Sequence, residues 1–217
     1  MSLQGQGTEN DMAIPSKLAT KLVEASSSIT NHGELPAVER KNILQLVEDL
    51  SLAEHARAGY LRRARLALIC AHEVLNRMNG FPDLMERAGH MLALGSSALS
   101  GQYELKLLQT KNGEFHTDVI DLFQHGEVAF VAAYAGMATF SAINTVLFDT
   151  NFDTVGNDEK AVPPDDWDAS YYGSLATSGS AIWEGKGGIA SRRAYWTWYL
   201  AIAVPEAWDV VTPLDFG

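Results

Sequence analysis

His116, Asp118, Asp121 and His125 fall within ten residues of one another. Helical spacing puts Asp121 and His125 on one face, and two imidazoles with two carboxylates form a donor set suited to a transition metal. The plainer reading is electrostatic. Acids in a first turn and a histidine near a helix end both complement the helix dipole. That reading is taken here, and the metal-dependent enzyme built on these four residues is kept as the rival.

The other reactive stretches each fail at a residue their chemistry requires. DTNFDTVGNDEK sets Asp149, Asn151 and Asp153 at the first, third and fifth positions of a calcium loop. The sharp turn needs Gly at the sixth position, which is Thr154, and the bidentate Glu at the twelfth is Lys160. His72-Glu73 begins like a zinc-protease helix, but the second histidine position is Asn76. Cys70 lies inside LALIC and reads as a small buried hydrophobe; His72 is two residues away, on a different helical face. Gly185-Lys186 starts like a phosphate loop, but Gly187 follows where Ser or Thr should, and no strand precedes it. No catalytic residue, metal or cofactor is expected.

The elements that must position these residues read as helices throughout. Pro15 opens an amphipathic stretch with Leu18, Leu22 and Ala25 on one face. Pro36 opens the next, with Ile43, Leu44, Leu46, Val47 and Leu50 as its apolar set. Ser51 and Glu54 match a capping box, which predicts a helix from there to the stop at Asn79-Gly80. Pro82 predicts another, ending near Gly95. A short helix over Tyr103 to Gln109 should stop at Asn112-Gly113, with a further one over roughly 117–124. A Gly-rich turn at GKGG should lead into a last helix over roughly 190–204.

Residues 128–148 form 21 residues without a charge, long enough to span a membrane. Thr139, Ser141, Asn144 and Thr145 interrupt the run, and neither flank has a nearby Lys or Arg to orient it. A helix apolar all round is also what the centre of a helical domain needs. Its small residues Ala132, Ala135, Gly136, Ala138 and Ala142 would let neighbours approach closely. The expected fold is therefore all-α: one domain over 15–217, of about eight or nine helices around a buried Ala-rich helix at 128–148, after a flexible N-terminus over 1–14.

The chain has 217 residues and a net charge of −11. Residues 112–185 hold twelve acids and one base, Lys160, so the whole excess sits in one third of the sequence. Nucleic acid is not an expected partner, because phosphate binding needs Lys and Arg. The opening residues lack a basic start and an apolar run, so no secretory signal is expected. A single cysteine suits a reducing compartment, and the expected location is cytoplasmic.

The densest feature is SRRAYWTWYLAIAVPEAWD. Arg192 and Arg193 lie four and three residues before Trp196, a spacing suited to guanidinium-on-ring stacking. Trp196, Leu200 and Ala203 make one stripe, and Tyr195, Tyr199 and Ile202 another. Trp198 should project elsewhere.

Here the sequence resembles a family: the all-helical immunity proteins of bacterial polymorphic toxin systems, fifth in that numbered series. Three patches carry the resemblance: VAAYAGMATFSA; DDWDASYYGSLATSGSAIWE, with Trp167, Asp168, Ser174, Trp183 and Glu184; and RRAYWTWYLAIAVPEAW, with Arg193, Trp196, Trp198, Tyr199, Leu200, Pro205 and Trp208. They span roughly residues 120–209. The resemblance implies a protein that binds and blocks a cognate toxin and has no catalytic residues. The long break at 149–166 holds Asp149, Asp153, Asp158, Glu159, Asp165 and Asp166, the expected toxin-facing acids, which would suit a basic toxin. A helical scaffold with some other partner is the further alternative.

Overall fold

The computed structural model describes residues 14–150, 152 and 167–216. Among these, nine α-helices and no strand occur. They are α1 (Ser16–Ser27), α2 (Ala37–Ser51), α3 (Ala58–Glu73), α4 (Pro82–Leu99), α5 (Leu105–Phe123), α6 (Glu127–Phe148), α7 (Ala169–Ser178), α8 (Ile189–Trp198) and α9 (Val204–Trp208). A π turn, Tyr199–Ala203, joins α8 to α9, so these two form one continuous rod.

The expected central helix is α6. It packs against α3, α4, α5 and α7, and its buried face includes Ala129, Ala132, Ala133, Ala135, Ala138 and Ala142. Its length and apolar content would allow a membrane crossing, but 61% of its most apolar window is buried inside the fold. Small residues set the helix spacing. A Cβ on Gly136 would lie 2.7 Å from Val119 Cγ2, and one on Gly95 would lie 2.7 Å from Ile143 Cδ1. α5 and α4 can therefore approach α6 only because those side chains are missing.

Pro15 and Pro36 do precede α1 and α2, and Pro82 opens α4. Several boundaries differ from expectation, mostly where a tertiary contact outweighs a local signal. Ser51 caps nothing: it ends α2, donates its hydroxyl to Val47 O and accepts from Arg62 Nη1 at 2.8 Å. Glu54 pairs with Arg62 instead of closing a capping box, and α3 starts only at Ala58. α3 then ends at Glu73, and a 3-10 turn over Leu75–Met78 carries the chain toward Asn79-Gly80. Gly95 does not end α4, which runs on to Leu99, because Gly95 is a packing site within it.

Asn112-Gly113 does not break α5 either. Asn112 is buried, and its Nδ2 donates to Asn144 Oδ1 at 2.9 Å and Phe140 O at 3.3 Å on α6. Pro205 likewise leaves its rod intact to Trp208. A proline removes a backbone donor and crowds the carbonyl four residues back. Here that carbonyl belongs to Ala201, inside the wider π turn, where the crowding is relieved.

Candidate functional site

The three patches of the resemblance lie on α6, on α7 with the segment after it, and on the α8–α9 rod. The structure gathers several of their side chains, among them Asp168, Tyr171, Arg192 and Trp196, around a buried charged centre, and completes that centre with two residues from the N-terminal half. Those two are Glu34 and Arg40.

Glu34 sits in the tight connection between α1 and α2. Gly33, at φ 79, turns the chain where a Cβ would meet Ile189 O, so only glycine fits against the start of α8. Glu34 N donates to Thr30 Oγ1 at 3.2 Å, and Thr30 N donates to Glu34 O at 2.9 Å. Arg192 Nη1 then donates to His32 O at 3.1 Å and Arg193 Nη2 to Thr30 O at 2.7 Å. The two adjacent arginines of α8 therefore grip this loop.

Two guanidiniums flank the Glu34 carboxylate: Arg40 Nη1 at 3.5 Å and Arg192 Nε at 3.6 Å. Arg40 also donates to Leu35 O at 2.8 Å and lies 3.8 Å from Asp168 Oδ2. Arg192 also donates to Ser180 O at 2.6 Å. Glu34, Arg40 and Arg192 are all buried. Burial pushes the Glu34 carboxyl up to about 7, against the pull of Arg40, Arg192 and the nearby Trp196 indole, with Asp168 adding a smaller upward push.

Aromatic rings enclose the centre. Arg40 lies over Trp196, 4.9 Å from its centroid, and 5.4 Å from that of Tyr171. The stacking expected of Arg192 or Arg193 on Trp196 is therefore made by Arg40, because Arg192 and Arg193 are drawn off to backbone carbonyls. Trp196 is fully buried, with Tyr199, Leu200 and Ala203. Ile202 is 52% exposed, because the π turn rotates it off the Tyr195–Tyr199 stripe.

The remaining motif residues divide in two. Asp168 caps α7, accepting from Tyr171 N at 2.8 Å and from the Ser170 hydroxyl. Ser174 and Trp208 are buried, and Trp167 is partly buried against Tyr171. Trp183, Glu184 and Arg193 are exposed. Half-buried Trp198 lines an apolar strip on the outer face of the rod with Ile189, Ala194 and Ile202.

Buried arginines also fix α3. Arg62 lies over Trp208, 3.4 Å from its centroid, its Nε donates to Trp208 O at 3.1 Å, and its Nη2 donates to both carboxylate oxygens of Glu54. Arg63 pairs with Glu48, donates to Asp149 Oδ2 at 2.7 Å and Asp149 O at 2.9 Å, and lies over Phe152.

Asp149, one of the acids expected to face the toxin, is tied into the fold. It terminates α6 with its carboxylate on Arg63, and burial raises its pKa while Arg63 pulls the other way. Asp153, Asp158, Glu159, Asp165 and Asp166 lie outside the described residues, as does most of the calcium-like loop. The four residues of the rival metal site go to different neighbours. His116 stacks on Phe140 at 3.9 Å, Asp118 pairs with Arg87, Asp121 accepts from Gln124 at 3.3 Å, and His125 tilts against Phe81. Among the described residues no three His, Cys, Asp or Glu side chains come together as a metal site. Burial pushes the Cys70 thiol far up, which keeps it protonated and poorly nucleophilic.

Glu34 and Arg40 are the functional candidates that sequence reasoning missed. The signal was present for Arg40. On α2 the buried positions are Arg40, Ile43, Val47 and Ser51, a regular three-to-four spacing. An arginine on the core stripe of a helix requires a buried partner. For Glu34 the only local sign was its place between Gly33 and Pro36.

The motif residues belong to a wholly helical frame among the described residues, the fold expected of the immunity class. The family described as Immunity protein Imm5 matches residues 18–206, and the chain belongs to that family. The match extends well into the N-terminal half, where the sequence resemblance found no motif. No curated protein gives a significant match.

Proposed function

We propose that this protein protects a bacterial cell by binding a cognate toxin of a polymorphic toxin system, one to one, in the cytoplasm, and that it performs no chemistry of its own. The observation that carries this reading is family membership over residues 18–206. Two features of the chain support it. Of the motif residues, Asp168 caps α7 and Ser174, Trp196 and Trp208 are buried within the helical frame, and the titratable groups found by spacing are tied to separate partners.

The toxin-facing surface is assigned to the acidic stretch after α6. From Asp149 to Asp168 the sequence carries seven acids against Lys160. Charge of one sign steers a basic partner toward docking and speeds association more than it strengthens the final complex. Asp149 anchors this stretch through Arg63, while Asp153, Asp158, Glu159, Asp165 and Asp166 supply the field.

The test uses the toxin encoded beside this gene. Asp153, Asp158, Glu159 and Asp165 are changed together to Asn or Gln, with Asp149 left intact. The expected result is slower association at low salt, with the deficit shrinking at high salt as screening removes the steering. Failure of the neighbouring toxin to bind at all would overturn the immunity reading. Tight binding with unchanged association at low salt would remove only this stretch from the interface.

A further inference from the structure

α3 carries three buried arginines, and among the described residues the third forms no hydrogen bond or ion pair. Arg62 and Arg63 end on carboxylates. Arg65 is only 7% exposed, its Nε is buried without a hydrogen-bond partner, and among the described residues its guanidinium makes no hydrogen bond or ion pair. Asp209 and Glu206 act on it electrostatically from farther off. Asp209 Oδ1 accepts from the backbone N–H groups of Val211 and Thr212, at 2.8 and 3.1 Å, and neither acid forms an ion pair with Arg65. A buried guanidinium nitrogen without an acceptor is costly, so the site favours a ligand that brings one.

Arg65 lines a groove of about 450 Å³ between α3, the end of α4 and the C-terminal segment. That volume lies in the range of small-ligand sites. The walls combine one cation with neutral donors and apolar surface. The Ser96 hydroxyl and the Gln102 amide line the groove, and no hydrogen bond among the described residues engages either. Leu61, Leu99 and Leu214 supply the apolar part. Asp215, the acid on the lining, is exposed.

We propose that this groove binds a carboxylate at the end of an apolar chain, with the Arg65 guanidinium taking the carboxylate and the leucines taking the chain. A planar guanidinium matches a carboxylate with two parallel hydrogen bonds, and the neutral donors add to them without adding charge. Such an end group belongs either to a free aliphatic acid or to the C-terminus of an apolar peptide. The inference stands independently of the toxin reading, since it rests on Arg65 and its groove alone.

The test is titration of the intact protein by calorimetry with octanoate and with octanamide. In parallel, acetylated trileucine is compared as free acid and as C-terminal amide. At least one acid should bind, and its amide should bind about tenfold more weakly or worse, as expected for losing hydrogen bonds to a charged group. Octanoate alone assigns the site to free acids, and the peptide acid alone assigns it to a chain terminus; either supports the proposal. Arg65→Met should abolish the preference for acid over amide and leave thermal stability unchanged or raised, because it removes a buried nitrogen that has no acceptor. No binding of either acid, equal binding of acid and amide, or a preference that survives Arg65→Met would overturn it.

Discussion

Glu34→Gln isolates the buried charge centre in a single substitution. In the unfolded chain the Glu34 carboxyl titrates near 4.5; in the fold, burial raises it to about 7 despite Arg40 at 3.5 Å and Arg192 at 3.6 Å. The folded state therefore holds a proton on Glu34 across a pH range in which the unfolded state has lost it. With the folded value the higher, the stabilising contribution is complete below about 4.5 and is lost as pH rises through about 7. A displacement from 4.5 to about 7, at about 1.36 kcal/mol per pH unit, corresponds to roughly 3 kcal/mol. Glutamine keeps the shape and cannot ionise.

The useful observable is the stability of the variant minus that of the native chain, since Glu73, Asp149 and the histidines then cancel. Near pH 4 the two proteins should be equally stable within about 1 kcal/mol. By pH 8 the variant should have gained roughly 3 kcal/mol on the native chain. Urea unfolding at half-unit pH steps would measure this. A flat difference across the range would refute the reasoning. A variant several kcal/mol less stable at neutral pH would show instead that the carboxylate is ionised and that Arg40 and Arg192 depend on it as their counter-ion.

Other substitutions test the rest of the frame. Trp196→Ala should cost about 3–5 kcal/mol in urea unfolding, as for a fully buried aromatic that also loses the Arg40 contact; a loss below about 1 kcal/mol would place the ring at the surface. Gly136→Ala should cost about 1–3 kcal/mol because its Cβ would meet Val119, and Val119→Ala in the same chain should recover part of that loss. Asp149→Ala should cost about 1.5–3 kcal/mol by removing one of the two acids on Arg63, an effect visible as a lowered melting temperature. That cost is why Asp149 is left untouched in the toxin-association test.

The helical class and the central place of α6 were legible because they follow from composition and period. A charge-free run rich in Ala and Gly suits the most enclosed helix of the fold, and Pro15, Pro36 and Pro82 mark starts that local sterics enforce. The boundaries that misled are positions where side chains bond across the fold. Asn112-Gly113 reads as a stop until Asn112 reaches Asn144 on α6. Ser51 and Glu54 read as a cap until Arg62 draws both onto itself. The π turn is equally hidden, since its cause is Pro205, farther along the same rod. For the buried centre, the aromatic and arginine runs of α8 were visible, but their counterpart Glu34 comes from a loop about 160 residues earlier, a pairing no local period encodes.

Arg40, Arg62, Arg63 and Arg192 all do the same structural job: each reaches from its own helix to a carbonyl or carboxylate on another segment. Arg192 ties the α8–α9 rod to the α1–α2 loop, and Arg62 ties α3 to Trp208. Arg63 ties α3 to the end of α6. Frame residues of this kind are poor places to encode the choice of partner, because changing one leaves a buried charge unpaired. Recognition is better placed on groups whose replacement leaves the frame alone. The Trp198–Ile202 strip on the outer face of the rod meets that condition. Asp149 itself does not, because it joins the acidic stretch to the frame and its loss would be felt as instability before it was felt as altered binding.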